Sequence, residues 1–178
     1  MKKVLMGVIM LCVGWNGMLF GMGNMPKVKK IEMSAKEAST VSAPDFNLPD
    51  LNNGAMHSLE SFRGQPLFID FWASWCPPCK NAAPYIEKLH EEFKGRANVI
   101  GINLDKDPDS AKKFIKRKNI SNIQLKGIGT NVPSEYGVQG IPSFFIMNKN
   151  GEIVDKAVGF TAGYYDKWRK VLKELINE

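Results

Sequence analysis

The 178 residues contain only three cysteines and two histidines. Three cysteines are too few for a disulfide framework, so a small stapled scaffold is excluded. A structural zinc site takes about four ligands. His57 and His90 are the only candidates beside the cysteines, and they do not fall in a His-x-x-x-His spacing. No haem-attachment Cys-x-x-Cys-His motif occurs, because Lys80 follows Cys79. Internal repeats and low-complexity tracts are absent. Strong charge of one sign is absent too, the formal net charge being +6. Much of that excess sits in Lys27, Lys29 and Lys30 and in Lys112, Lys113, Lys116, Arg117 and Lys118. These runs lack the interleaved aromatics of single-strand binders, so they read as a solvated tail and a solvated helix face, and nucleic acid is not an expected partner.

What is present is ordinary globular material. Hydrophobic residues make up 44% and charged residues 24%, enough for one domain with a core of its own. Met1-Lys2-Lys3 followed by the apolar run Val4–Val13 is the pattern of a secretory signal. Gly21-Met22-Gly23 offers small residues where a signal peptidase cuts, which predicts cleavage after Gly23. An uncleaved membrane anchor is the rival, since mostly apolar residues continue to Met22; Asn16, Gly14, Gly17 and Gly21 count against it. A lipoprotein signal fits less well, because Leu11 precedes Cys12. Export would remove Cys12, Lys2 and Lys3, leave Cys76 and Cys79 alone, and put them where disulfides persist. The expected organisation is a signal or anchor over 1–23, a polar linker over 24–42 and a folded domain over 43–178.

Within the domain, Phe46, Leu48 and Leu51 flank a short extended stretch, and Asn53-Gly54 is a tight-turn signal. Ser58–Phe62 predicts one helical turn, stopped by Gly64. Leu67–Trp72 is nearly all apolar, as a strand buried on both faces should be. From Pro77 to Lys94 the apolar spacing becomes helical, with Pro84 expected to kink the helix and Gly95 to end it. Val99–Leu104 predicts a second buried strand, joined to the first by a parallel crossover. Asp107-Pro108 starts a basic helix reaching about Asn119, and a short strand is expected around Ile123–Leu125. Ser143–Met147 and Glu152–Val158 read as a hairpin about Asn150-Gly151, and Tyr164–Ile176 as a closing amphipathic helix.

The chemistry concentrates in Trp75-Cys76-Pro77-Pro78-Cys79-Lys80, where a strand ends and a helix begins. Free N–H groups and the macrodipole at a helix N-terminus favour an anion, and a cysteine there loses its proton more readily. The thiolate is the species that attacks a disulfide. Cys76, at the open end, would attack, and Cys79, one turn inside, would resolve the mixed disulfide. Pro77 and Pro78 lack N–H groups, which leaves mainly the Cys79 N–H to face the Cys76 sulfur. Thiolate stabilisation is therefore expected to be mild, which favours a reductant. Half a zinc site and an inert structural disulfide stand as the alternatives. Asp70, a lone carboxyl in an apolar strand, should have a raised pKa and could exchange a proton when Cys79 attacks; a satisfied core polar group is its structural alternative.

Phe68-Ile69-Asp70-Phe71-Trp72-Ala73-Ser74 together with Trp75–Lys80 resembles the thioredoxin active-site segment. Ala43-Pro44-Asp45-Phe46, followed by Leu59–Gly64, resembles the front end of the TlpA/ResA-like and peroxiredoxin-related branch. Gly140-Ile141-Pro142-Ser143 and Asn150-Gly151-Glu152 resemble the later thioredoxin segment. The resemblance spans about residues 43–176. It implies an α/β thioredoxin fold, a central mixed β-sheet flanked by helices, with an N-terminal β-hairpin extension. It implies that Pro142 is the family's cis-proline and that Ile141 offers its backbone to an extended substrate. Trp75, Val158 and Gly159 would border the same groove. Asp70 matches thioredoxin's buried carboxylate, but that carboxylate's lysine partner aligns with Gly101, so the tuning pair is missing.

The expected activity is that of an extracytoplasmic protein-disulfide reductase, without cofactor or metal. A membrane thiol relay would return its electrons, and cytochrome c maturation is one context common among similar proteins. No added dimerisation domain is seen, which counts against an isomerase, and a monomer is expected. Thiol peroxidase, thiol oxidase and a non-catalytic binding module are the competing functions. The threonine-flanked cysteine of a peroxidase is absent.

Overall fold

The structure is a computed structural model and describes residues 41–178. The signal or anchor expected over 1–23, and the linker as far as residue 40, lie outside the described residues. The last two residues assigned to that linker, Val41–Ser42, form an edge strand, β1.

The main sheet is built on β4 (Leu67–Trp72), every residue of which is buried. It pairs in parallel with β5 (Asn98–Asn103) and antiparallel with β7 (Ser143–Met147). β6 (Ile123–Lys126) continues the parallel side. β8 (Glu152–Val158) continues the antiparallel side, and β1 lies beyond it. The order is β1-β8-β7-β4-β5-β6, a mixed sheet. The expected strand–helix–strand crossover is α1 (Pro77–Phe93) joining β4 to β5.

Alternation along β4 assigns its two faces. Leu67, Ile69 and Phe71 join a core with Phe46, Leu48 and Phe62. Phe68 points the other way, into a core with Leu89 and Phe93 of α1 and Trp168 and Leu172 of α4 (Gly163–Ile176). The Phe68 and Trp168 rings meet edge-on, with centroids 4.9 Å apart. Burying such a side chain contributes about 2–3 kcal/mol. Asp70 and Trp72, two and four residues past Phe68, share this helix-covered face.

The expected front hairpin is present as β2 (Asn47–Pro49) against β3 (Met56–Ser58). Its connection is a longer loop rather than a two-residue turn. Asp50 Oδ1 accepts the Asn52 N–H at 2.6 Å, Asp50 N–H donates to the Ala55 carbonyl at 2.8 Å, and Gly54 takes the left-handed φ of +75° that the turn needs. The hairpin docks on the free edge of β6, where Leu51 N–H donates to the Gln124 carbonyl at 2.8 Å. A 3₁₀ turn, Leu59–Phe62, follows.

α1 runs through Pro84, an exposed position, as one helix. α2 (Pro108–Lys118) is capped by Asp107, which accepts from the Asp109 N–H and the Ser110 hydroxyl, and it ends on Asn119 at φ +52°. α3 (Val132–Glu135) is a single turn that places Tyr136 over Phe71 and Phe145. None of the described helices is long and apolar enough to cross a membrane.

Candidate active site

β4 delivers its C-terminal end to a loop, Ala73-Ser74-Trp75, and the loop opens α1. Cys76 is the N-cap of α1, and Pro77 and Pro78 fill the first helical positions. Prolines are tolerated there because those N–H groups have no partner inside a helix. Cys79 N–H faces the Cys76 Sγ at 3.3 Å, the one donor that the two prolines leave. Cys76 and Cys79 are joined in a disulfide with their Cα atoms 5.3 Å apart.

The loop is held by a carboxylate that sequence reasoning did not single out. Asp105 is only 3% exposed. It accepts the Ser74 N–H at 2.8 Å, the Ser74 hydroxyl at 2.7 Å and the Asn103 side-chain amide at 2.7 Å. The available signal was a polar Asn103-Leu104-Asp105 step ending an apolar strand. That end lies beside the end of β4, and strand ends are where α/β sheets carry their sites.

Opposite the sulfurs lies the peptide bond Ile141–Pro142, which is cis. The Ile141 carbonyl oxygen is 3.6 Å from the Cys76 Sγ. Among the described residues the Ile141 N–H meets no acceptor. Gly159 N–H donates to the Pro142 carbonyl at 2.8 Å, and Val158 pairs with Ser143, so both expected rim residues stand next to the cis-proline. Trp75 and Val158 are exposed large apolar side chains, at 63% and 67%. Pro77 is exposed and Pro78 half-buried on the same rim.

One expectation is corrected here. Cys76 is not open in this oxidised form; it is 2% exposed, the same as Cys79. The loop, the Ile141 carbonyl and its own disulfide bond cover it.

Behind Cys79 is a small cleft lined also by Asp70, Trp72, Asn122, Gln124 and Glu87. Asp70 is 6% exposed and its Oδ1 has no hydrogen-bond partner, so burial pushes its carboxyl well above the usual carboxylate range. Gly101 stands opposite Asp70 in the sheet register, so no side chain on β5 faces the carboxyl from that position. Asn122 and Gln124 were also missed by sequence reasoning. The two histidines do not converge on the sulfurs. His57 stacks on Phe62, and His90 lies in the last turn of α1. Among the described residues no group of three or more His, Cys, Asp or Glu side chains could hold a metal ion.

Two sulfurs at a helix N-terminus, a cis-proline wall and a buried carboxylate behind the inner cysteine offer sulfur exchange. On this sheet order they define a thioredoxin-fold thiol–disulfide oxidoreductase. The chain belongs to the Redoxin family, whose profile matches residues 38–167, and it is a TlpA/ResA-like member of the thioredoxin superfamily. It is 30% identical to a thiol-disulfide oxidoreductase ResA of Bacillus cereus over 66% of this chain and 68% of that one. It is 29% identical to ResA of Bacillus thuringiensis subsp. konkukian over 89% of both chains. Among solved structures it is similar to a protein described as thiol:disulfide interchange protein DsbE from Chlorobium tepidum. That match has a TM-score of 0.73 and 28% identity, and covers 77% of this chain and 96% of that one.

Proposed function

We propose that this oxidoreductase is an extracytoplasmic, monomeric reductase of protein disulfides. The observation that carries the reading is the Cys76–Cys79 disulfide set at the start of α1 against the cis Ile141–Pro142 bond. In the reduced enzyme the Cys76 thiolate attacks a partner disulfide. A Cys76–partner bond forms, the partner's S–S bond breaks, and the first partner sulfur leaves as a thiolate that takes up a proton. Cys79 then passes its proton to Asp70 and attacks the Cys76 sulfur. The intramolecular disulfide forms and the second partner thiolate leaves. The partner gains two electrons and the enzyme loses two, which a membrane thiol relay returns.

The partner docks as an added strand segment on Ile141, whose N–H is unpaired and whose carbonyl faces the sulfur. The reductive direction is supported by the single N–H facing the Cys76 sulfur, since a weakly stabilised thiolate makes a weak oxidant. The N-terminal Met1-Lys2-Lys3 and its apolar run support export, and cytochrome c maturation is one context for the substrates.

Equilibration with glutathione tests the direction. A reduction potential well below that of the periplasmic oxidant is expected, and a value of about −120 mV overturns it. In the native cell envelope, Cys79→Ala should accumulate mixed disulfides on Cys76 that mass spectrometry identifies. Cys76 should become alkylatable on reduction while Cys79 does not. A reduced Cys76 that still resists a small alkylating agent would defeat the mechanism.

A further inference from the structure

Asp70, Gly101 and Gln124 lie in one row across β4, β5 and β6, by the register of the two parallel pairings. A row of register partners shares one face of the sheet, here the face covered by α1. The space that a side chain on Gly101 would take is filled by the end of the Gln124 side chain: a Cβ there would lie 2.7 Å from the Gln124 Cδ. The Gln124 amide therefore occupies the space over Gly101, beside Asp70, that a residue-101 side chain would fill.

The hydrogen bonds of that amide have a fixed direction. The Trp72 indole can only donate, and it does so to Gln124 Oε1 at 2.7 Å. The Gln124 NH₂ must then face away from Trp72, and it donates to Asn122 Oδ1 at 2.8 Å. Asn122 Nδ2 is left as the free donor end of the chain, buried and without a protein partner. Asp70 Oδ1 is a buried acceptor without a partner. Both residues line the cleft behind Cys79, which offers about 10 Å³ to the centre of a water molecule. That is room for about one water, and a buried water needs at least two polar partners. Among the described residues, the other groups lining the cleft that can carry a proton are Cys79, when reduced, and Glu87, both on α1. The Glu87 carboxylate is engaged by the Ser121 N–H at 3.0 Å and by the Ser121 hydroxyl.

We propose that Trp72, Gln124 and Asn122 form a polarised donor chain which, through one buried water, presents a neutral N–H-derived hydrogen bond to the Asp70 carboxylate and so sets when Asp70 accepts the Cys79 proton. Gln124 and Asn122 are positioning residues, acting through Asp70. The proposal rests on the reading that Asp70 is the proton acceptor. A neutral donor favours the ionised carboxylate, though less than an ammonium group would. Removing it should leave Asp70 protonated to higher pH and delay the second step.

The test titrates the Asp70 carboxyl by ¹³C NMR in the reduced full chain, with Asp70→Asn for assignment. Gln124→Met keeps the volume over Gly101 and breaks both hydrogen bonds; Asn122→Ala removes the terminal donor together with the Oδ1 that accepts from the Gln124 amide, and leaves the Trp72–Gln124 bond in place. Both should raise the Asp70 midpoint by about half a pH unit, roughly the three-fold change in proton affinity of one modest hydrogen bond. Mixed-disulfide resolution should slow about three-fold below the midpoint and recover at alkaline pH. Asn122→Ser, which retains a short donor, should fall between Asn122→Ala and the wild type. If Gln124→Met does not fold, the Asn122 pair decides alone. An unmoved or lowered midpoint in a folded variant, or a slowing equal at every pH, overturns the donor chain. If instead Asp70→Asn resolves at the wild-type rate at every pH, the acceptor reading fails, while the titration still judges the chain.

Discussion

Two aspartates lie buried beside the disulfide, and the fold treats them in opposite ways. Asp105, at the wall of the site, receives three hydrogen bonds and grips the loop that aims Cys76. Asp70, at the floor, is as deeply buried, yet its Oδ1 receives none. A satisfied buried carboxylate is a clamp. An unsatisfied one costs stability, because its charged form has lost water and gained no protein partner in return. Burial alone therefore does not distinguish the two carboxylates; the hydrogen-bond account does.

The sharpest way to break this contrast is Asp70→Asn. If Asp70 moves the Cys79 proton, resolution of the mixed disulfide at neutral pH should slow on the order of 10²-fold, the lower range for general acid–base help. Stopped-flow measurement on a trapped partner reads this directly. The same substitution should stabilise the chain. The folded carboxyl titrates above its unfolded value of about 3.9. The folded state thus holds the proton that the unfolded state gives up, and wild-type stability falls as pH rises through the folded value. Asp70→Asn should escape that fall, so its advantage in urea should be absent near pH 3 and grow toward pH 9.

Asp105→Ala should do the reverse. It leaves the Ser74 N–H and the Asn103 amide buried without their acceptor, at about 2–4 kcal/mol in total. Denaturation midpoints should drop, and the pH dependence of resolution should keep its midpoint. A shifted midpoint would mean that the two carboxylates are not separable.

Glu92 calibrates both from a distance. Arg169 beside it, at 2.6 Å, and the Tyr165 hydroxyl, at 2.9 Å, pull its carboxyl down to about 2. Its contribution is therefore complete above about pH 4.5 and is lost as pH falls through about 2. Glu92 is half-buried, so solvent screens the pair, and Glu92→Gln should cost no more than about 1 kcal/mol at pH 7 and nothing near pH 2. Matched acid denaturation of the two proteins checks it.

What could be read in advance was local. Leu67–Trp72, the helix after Cys76 and the amphipathic Tyr164–Ile176 announce themselves through periodicity, and Asp70 stands out as one charge in an apolar run. The cis bond at Pro142 came through resemblance, since an X-Pro sequence does not by itself select the cis form. Asn122 and Gln124 were invisible because their meaning depends on register between strands far apart in sequence, and Asp105 showed only as a polar step at the end of an apolar strand. Gly101 looked like a lost partner and proves to be the space another strand's amide fills. The cover over Cys76 was equally non-local, coming from Ile141, 65 residues away.

The front hairpin carries a consequence of its own. Leu51 holds the main chain of Gln124, the residue whose side chain overlies Gly101. The extension thus does two jobs with one bond: it shields the outer margin of β6 from stray pairing, and it anchors the residue whose amide fills the space over Gly101. If Asp70 takes up the Cys79 proton as proposed, shortening the extension would loosen a remote loop and, with the same cut, blur the pH at which the partner is released.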